Sequence, residues 1–262
     1  MERPGGRVLV ISSQVAASRV GASAGAFVLQ RMGHGAVVLP TVLLGRHPGW
    51  GDPGGGAVDA DRLGSMWEAI HAQGVPFDAV QTGYFANAAQ VELAARIIDT
   101  LKPGLVMVDP VIGDSHTGLY VKPEVAAGIR DQLVPRAHII TPNVWEHDWL
   151  TTDAPLPKGV AELITSYPDG DRIGALYRGH EDTLQVSHEH FGEVPHGGGD
   201  TLAALWLSHA LDRLQPRENL MMSVGSVLAI LRTAIGEDTG ELPLVRMQDK
   251  LLHPDPLEVR HV

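Results

Sequence analysis

The chain has 262 residues, 44% hydrophobic and 19% charged, enough apolar material for the core of a single α/β domain, and this composition excludes disorder, collagen-like repeats and coiled coils. With 20 Lys+Arg against 31 Asp+Glu the formal net charge is −11, the wrong sign for a protein that gains affinity by neutralising nucleic-acid phosphates. Zero cysteines exclude disulfides, thiolate metal sites and cysteine nucleophiles.

An acidic chain binds a small anion through local backbone N–H groups, a helix N-terminus or a divalent cation. No apolar run approaches the ~20 residues that span a bilayer. A cytoplasmic protein with neither nucleic acid nor membrane as a partner is expected.

In chain order, the apolar run at 8–11 reads as a strand covered on both faces. A helix follows over 26–32, with Gly33 as its stop. Then come a strand at 36–44, a helix at 60–73, a strand at 79–83, a helix at 86–101, a strand at 105–108, a helix at 124–133 and strands at 138–141 and 161–166. Segments 173–177 and 183–187 read as a hairpin, and 201–214 and 220–235 as apolar helices. The alternation predicts a three-layer α/β fold, a mostly parallel central sheet with helices on both faces. Ligands of such sheets bind beyond the carboxyl ends of the strands. Polar residues at those ends are Ser12 and Ser13, the segment 82–84, Asp109 to Asp114, and Asn143 to Glu146.

The most informative segment is His196-Gly-Gly-Gly-Asp200, directly before an apolar helix. Glycine N–H groups at a helix N-terminus form an anion cradle, and an aspartate there can deprotonate a hydroxyl attacking a phosphorus held by it. The competing reading is a flexible loop with Asp200 as an N-cap. Asp109-Pro-Val-Ile-Gly-Asp114 delivers two carboxylates on a turn that Gly113 and Gly118 allow to move as a lid, or is a plain surface turn. Asn143 and Glu146 share a face of a helix starting near Pro142 and either organise a hydrated Mg²⁺ or cap the helix. Gly21-Ala-Ser-Ala-Gly25 matches G-x-S-x-G, but its distance from the preceding strand makes it a small-residue helix start. His188, His190 and His196 read as a solvated loop, and no Walker A pattern occurs.

In this order the three segments resemble the ribokinase superfamily, and within it the pyridoxal kinases. Gly197-Gly-Gly-Asp200 resembles its G-x-G-D motif and Asn143-Val-Trp-Glu146 its N-x-x-E motif. Further likenesses are Ile11-Ser-Ser-Gln-Val15, the loop Thr41 to Trp50, Thr82-Gly-Tyr84, Gly118-Leu-Tyr-Val121 and the segment 241–249. The resemblance implies a single ribokinase-like domain over 1–262 with a substrate loop near 41–56 and a lid near 109–122. It implies ATP-dependent phosphorylation of the 5′-hydroxyl of pyridoxal, and of pyridoxine or pyridoxamine, by a homodimer.

In that reading Asp200 is the base, and the Gly197, Gly198 and Gly199 amides stabilise charge on the γ-phosphate. Ser13, His47, Tyr84 and Asp200 bind the substrate. Asp109, Asp114, Asn143, Glu146, Thr165, Ser166, Gly197 and Gly199 serve ATP, with Asp109 and Glu146 reaching Mg²⁺ through water and a monovalent cation such as K⁺ assisting. Two departures stand out. His47 is followed by Pro48 where the family often has threonine. The segment between Glu146's helix and the strand at 161–166 is short by about a helix, which predicts exposed sheet edge or apolar surface there. The alternatives are a hydroxymethylpyrimidine kinase of the same superfamily, or a weakly catalytic vitamin-B6- or nucleotide-binding homologue.

Overall fold

The computed structural model describes residues 5–262. β1 (Arg7–Val15) shows why the opening apolar run is continuous: Val8 and Val10 pack into one core, Leu9 and Ile11 into the other. The first core lies under α1 (Gly21–Arg31), α6 (Gly198–Leu211) and α7 (Pro216–Gly236). The second lies under α2 (Ala60–His71), α3 (Ala88–Leu101) and α4 (Pro123–Gly128). Alternate residues of a strand face opposite sides, so a strand between two helical layers must be apolar throughout.

The remaining strands are β2 (Gly35–Leu44), β3 (Gly55–Ala57), β4 (Ala79–Thr82), β5 (Leu105–Val108), β8 (Ile139–Ile140), β9 (Ala161–Asp169), β10 (Arg172–Arg178), β11 (Thr183–Glu189) and β12 (Val259–His261), with β6 (Gly113–Asp114) and β7 (Gly118–Leu119) as a separate small hairpin. The main sheet is ten-stranded, ordered β12-β11-β10-β9-β8-β5-β4-β1-β2-β3. Pairs from β2 through β9 are parallel; β9 to β12 form an antiparallel extension, and β3 folds back on β2. The chain leaves β1 for β2 on one side and returns to β4 on the other. That reversal opens a crevice at the carboxyl ends of β1 and β4.

Several boundaries differ from the sequence reading. Helix α1 begins at Gly21 rather than residue 26, so the G-x-S-x-G segment is its first turn. Helix α6 begins at Gly198, with Gly197 as its N-cap, so two of the glycines lie inside the helix and Asp200 is in its first turn rather than capping it. Helix α4 is short: the chain widens into a π turn over 129–133 and tightens into a 3-10 turn at 134–136, where Pro135 has no N–H to continue the ladder. The pattern G-x-G-x-x-G occurs at Gly49-Trp-Gly51-Asp-Pro-Gly54, in the exposed loop after β2 and not at a strand-to-helix turn, so it carries no dinucleotide reading.

The expectation of an exposed edge near 151–166 is corrected. α5 (Val144–Thr151) is itself the crossover helix, and β9 pairs directly with β8 on one side and β10 on the other. Nor is apolar surface left bare on these strands: Ile164 and Leu176 are 1% and 2% exposed. On the same face Glu162 meets His147 of α5 at 3.1 Å and Arg178 of β10 at 3.5 Å. Charged pairs take part of the place of a helical cover. α7 is long and apolar enough to cross a bilayer, but most of that stretch is buried, with Leu220, Val224, Val227 and Ile230 in the first core.

Candidate active site

Three acids that are far apart in sequence act on one another here. Asp109 leaves β5 at its carboxyl end, buried, with the Thr141 hydroxyl donating to it at 3.1 Å. Burial, then the negative charges of Asp200 and Glu146, push the Asp109 carboxyl well above its ordinary range, against the Thr141 hydrogen bond. Burial also raises Asp200, which is hemmed in by protein but keeps some solvent access; the backbone N–H of Gly21, donating to it, works the other way. Glu146 is raised by burial as well, although three backbone N–H groups oppose the shift.

The turn before α6 is built for close approach. Gly197 has φ +97°, and a Cβ there would lie 2.3 Å from the Arg19 carbonyl oxygen, so only glycine fits against the turn leading into α1. Gly198 and Gly199 differ: a Cβ on either would meet nothing within 4 Å. Open space in front of the first N–H groups of a 14-residue helix suits an anion. Gly21, with φ +55°, is the missed link. A Cβ on it would sit 2.1 Å from the Ser13 hydroxyl oxygen, while its amide holds Asp200, so one glycine joins two expected site residues.

The Asn143–Glu146 pair forms a capping box on α5, as the capping reading expected, and goes further. Glu146 Oε2 accepts from Asn143 N–H at 2.9 Å, and its Oε1 accepts from Ile112 and Gly113 N–H at 2.8 and 3.3 Å. Asn143 Nδ2 donates to the Gly113 carbonyl at 2.9 Å. The pair therefore pins the base of the β6–β7 hairpin to α5. Asp114 is engaged in the turn of that hairpin: burial pushes its carboxyl up, but hydrogen bonds from Thr117 and His116 outweigh this and hold it below the usual range. Above the acids, the Tyr120 phenol is held protonated by burial and then by the negative charges of Glu146, Asp109, Asp114 and Asp200.

Ser166 is the extra residue of a bulge where β9 pairs with β10, with φ +54°, a backbone region that only a bulge or turn imposes on serine. It lines two adjoining cavities of about 690 and 320 Å³. Asp114 and Asn143 line the larger, with Trp145 and Phe191; Thr165 and Gly197 to Gly199 line the smaller. Ser13, His47, Tyr84, Asp109, Glu146 and Asp200 line neither. Among the described residues no group of three or more His, Asp or Glu converges for direct metal ligation, and the histidines of 188–196 form no such group.

The end of β2 and the segment beyond β3 are braced by α3. Gln90, fully buried on α3, donates to the Thr41 and Val58 carbonyls at 2.8 and 2.7 Å, and the Thr41 hydroxyl donates to the Tyr84 carbonyl at 2.7 Å. No motif pointed to Gln90, because its value lies in contacts made across the fold. The His47 ring is stacked on His196, centroids 4.1 Å apart.

Residues 55–166 match the family model of phosphomethylpyrimidine kinase. The chain is 30% identical to the pyridoxal kinase PdxY of Granulibacter bethesdensis over 285 aligned positions, covering 94% of this chain and 96% of that protein. That alignment is longer than this chain, so the relative carries residues that are missing here. Identity to the pyridoxine/pyridoxal/pyridoxamine kinase of Bordetella bronchiseptica is 32%, covering 90% and 92% of the two chains. The fold matches that of pyridoxal kinase from Entamoeba histolytica with TM-score 0.88 at 23% identity, over 98% of this chain and 100% of that one. It matches the Leishmania donovani pyridoxal kinase, in complex with ADP and pyridoxine, with TM-score 0.87 at 24% identity, over 98% and 99%. The chain belongs to the pyridoxal kinase family.

Proposed function

We propose that this domain, over 1–262, transfers the γ-phosphoryl group of ATP to the 5′-hydroxyl of pyridoxal, pyridoxine or pyridoxamine, giving the 5′-phosphate and ADP. The observation that carries the reading is the N-terminal turn of α6: an open glycine cradle with a raised carboxylate, Asp200, in the same turn. Asp200 accepts the proton of the attacking hydroxyl, and its raised pKa makes it a stronger base than an ordinary aspartate. The amides from Gly197 to Gly199 hold the charge that develops on the transferred phosphoryl oxygens. Ser13, His47 and Tyr84 orient the vitamer. Asp114, Asn143, Thr165 and Ser166 line the nucleotide side.

A divalent cation fits the acids: burial, then the negative charges of Asp200 and Glu146, raise Asp109, a cost of its charged form that a nearby cation would offset. With no direct ligand cluster among the described residues, Asp109 and Glu146 would hold Mg²⁺ through water. Such an ion supplies charge neutralisation between the phosphates; K⁺ would assist similarly. The enzyme works as a cytoplasmic homodimer in this reading, which light scattering on the purified protein checks.

Purified protein with Mg-ATP and pyridoxal should accumulate the aldehyde phosphate, read by absorbance, and Asp200→Asn should fall by at least about 10²-fold. Equal silence of both proteins while pyridoxal still binds defeats the kinase reading and leaves a binding homologue. The match of 55–166 to the phosphomethylpyrimidine kinase model favours a second substrate class, a hydroxymethylpyrimidine. Faster turnover of that alcohol than of pyridoxal would make it the substrate.

A further inference from the structure

The His47–His196 contact joins two segments with different tasks. His47 belongs to the loop after β2. His196 stands immediately before Gly197, whose left-handed backbone is wedged against Arg19, and its own backbone bridges Glu241. The His196 ring therefore sits on a backbone held from two sides.

The rings are stacked at 4.1 Å with 28° between their planes. Gly49 N–H donates to His47 Nδ1 at 3.1 Å, which fixes that nitrogen as the unprotonated acceptor and leaves Nε2–H as the donor of the ring. Gly49 is pinched between the pair: a Cβ on it would lie 3.0 Å from His47 Nδ1 and 3.1 Å from His196 Nε2. Burial, then the neighbouring His196, lowers the His47 pKa, which favours the neutral His47 ring in the stack. On the other side of the loop Trp50 lies against Gly240, 3.4 Å from where its Cβ would be. The loop thus rests on two points, and the one formed by His196 is continuous with the phosphoryl-transfer turn.

We propose that His196 is a positioning residue for the vitamer: its ring, stacked on His47, clamps the substrate loop onto the turn that carries the glycine cradle, so that loop and cradle are held in one register. The identity of the substrate rests on the kinase reading above; the clamp itself does not. Proximity of this kind acts on substrate orientation, since the reacting groups must be held within a fraction of an ångström. His196 acts through His47 and touches no reacting atom.

Two readouts test it. The first is independent of activity: trypsin cleavage at the Arg46–His47 bond, which lies in the exposed loop. His196→Ala should speed cleavage there about 3- to 10-fold relative to other sites, the range expected for loss of an aromatic contact, and His196→Phe, which restores a flat stacking ring, should return it toward wild type. Gly49→Ala, which pries the rings apart without altering either imidazole, should act like His196→Ala. The second readout is steady-state kinetics: His196→Ala should raise the pyridoxal KM by a similar factor, with kcat falling far less and the Mg-ATP KM unmoved. Wild-type cleavage in both His196→Ala and Gly49→Ala overturns the clamp, and looser cleavage with an unchanged pyridoxal KM overturns the positioning role. If wild type turns over no pyridoxal, the substrate reading falls, and the cleavage pattern still decides for or against the clamp.

Discussion

The backbone N–H of Gly21 donates to the carboxylate of Asp200, tying the turn that opens α1 to the first turn of α6. The same glycine has φ +55° and its Cα faces the Ser13 hydroxyl. Gly21→Ala should therefore destabilise the fold by about 2–3 kcal/mol, combining the left-handed penalty with displacement of Ser13. The melting temperature should drop by roughly 4–12 °C for a chain of this size. Residual folded enzyme should show a further loss in kcat, because the clash with Ser13 displaces the turn whose amide faces Asp200. A Tm equal to wild type would show that the turn tolerates a side chain.

The glycines before and inside α6 should separate into two kinds. Gly197→Ala meets the Arg19 carbonyl and a positive φ, so it should cost stability on the scale of Gly21→Ala. Gly198→Ala and Gly199→Ala meet open space, and alanine is the better helix former by up to ~1 kcal/mol. These two should melt at or slightly above the wild-type temperature yet slow phosphoryl transfer by about 10²-fold, because the added methyl fills the anion cradle. Thermal melts paired with single-turnover rates check both halves.

The acids give a signed pH dependence. As the proposed base, Asp200 acts deprotonated, and its pKa is raised by burial, so kcat/KM should fall on acidification through a limb that lies above the ordinary aspartate value of about 4. Asp109 feels the charge of Asp200 and so ionises after it, and Asp109→Asn should leave that limb in place while raising the Mg-ATP KM. Stability follows the same logic. The folded-state pKa of Asp109 lies above its unfolded value, so ionised Asp109 costs stability, and the cost grows as pH rises from the unfolded value through the folded one. Asp109→Asn should remove it and stabilise the protein near pH 7 by about 1 kcal/mol, seen as a Tm rise of roughly 2–4 °C.

Glu146 accepts three backbone N–H groups through its two oxygens. Glu146→Gln replaces one oxygen by an NH₂ group that cannot accept, leaving at least one of these amides unsatisfied at a cost of about 1–3 kcal/mol. The expected local signature is faster hydrogen exchange at Ile112 and Gly113 together with a higher Mg-ATP KM. Unchanged protection at both amides would contradict the role of Glu146 as the strut of the β6–β7 hairpin.

Much of this architecture was legible in the chain because local chemistry imposed it. A strand such as β1, flanked by helices on both faces, must be apolar at every position, and an apolar helix such as α6 must be buried. Four polar segments follow strands and could be nominated from sequence alone. Asp200 could be nominated from the glycines before an apolar helix, with a capped flexible loop as the competing reading. The antiparallel strands β3 and β12 were not legible: three residues each carry too short a period to register. At 151–166 only the expected exposed edge fails, because α5 closes the crossover between β8 and β9 and β9 is paired on both sides.

What only the tertiary structure decided are relationships whose energy comes from partners distant in the chain. Gly21 looked like part of a small-residue helix start until its amide was found on Asp200. Gln90 carries no motif, yet it ties α3 to Thr41 on β2 and to Val58 beyond β3. The raised Asp109 exists only because folding buries one carboxylate near two others. Sequence determined which groups could do chemistry, through residue type and local periodicity; the fold decided their burial and mutual distance, and these set their proton affinity and reach.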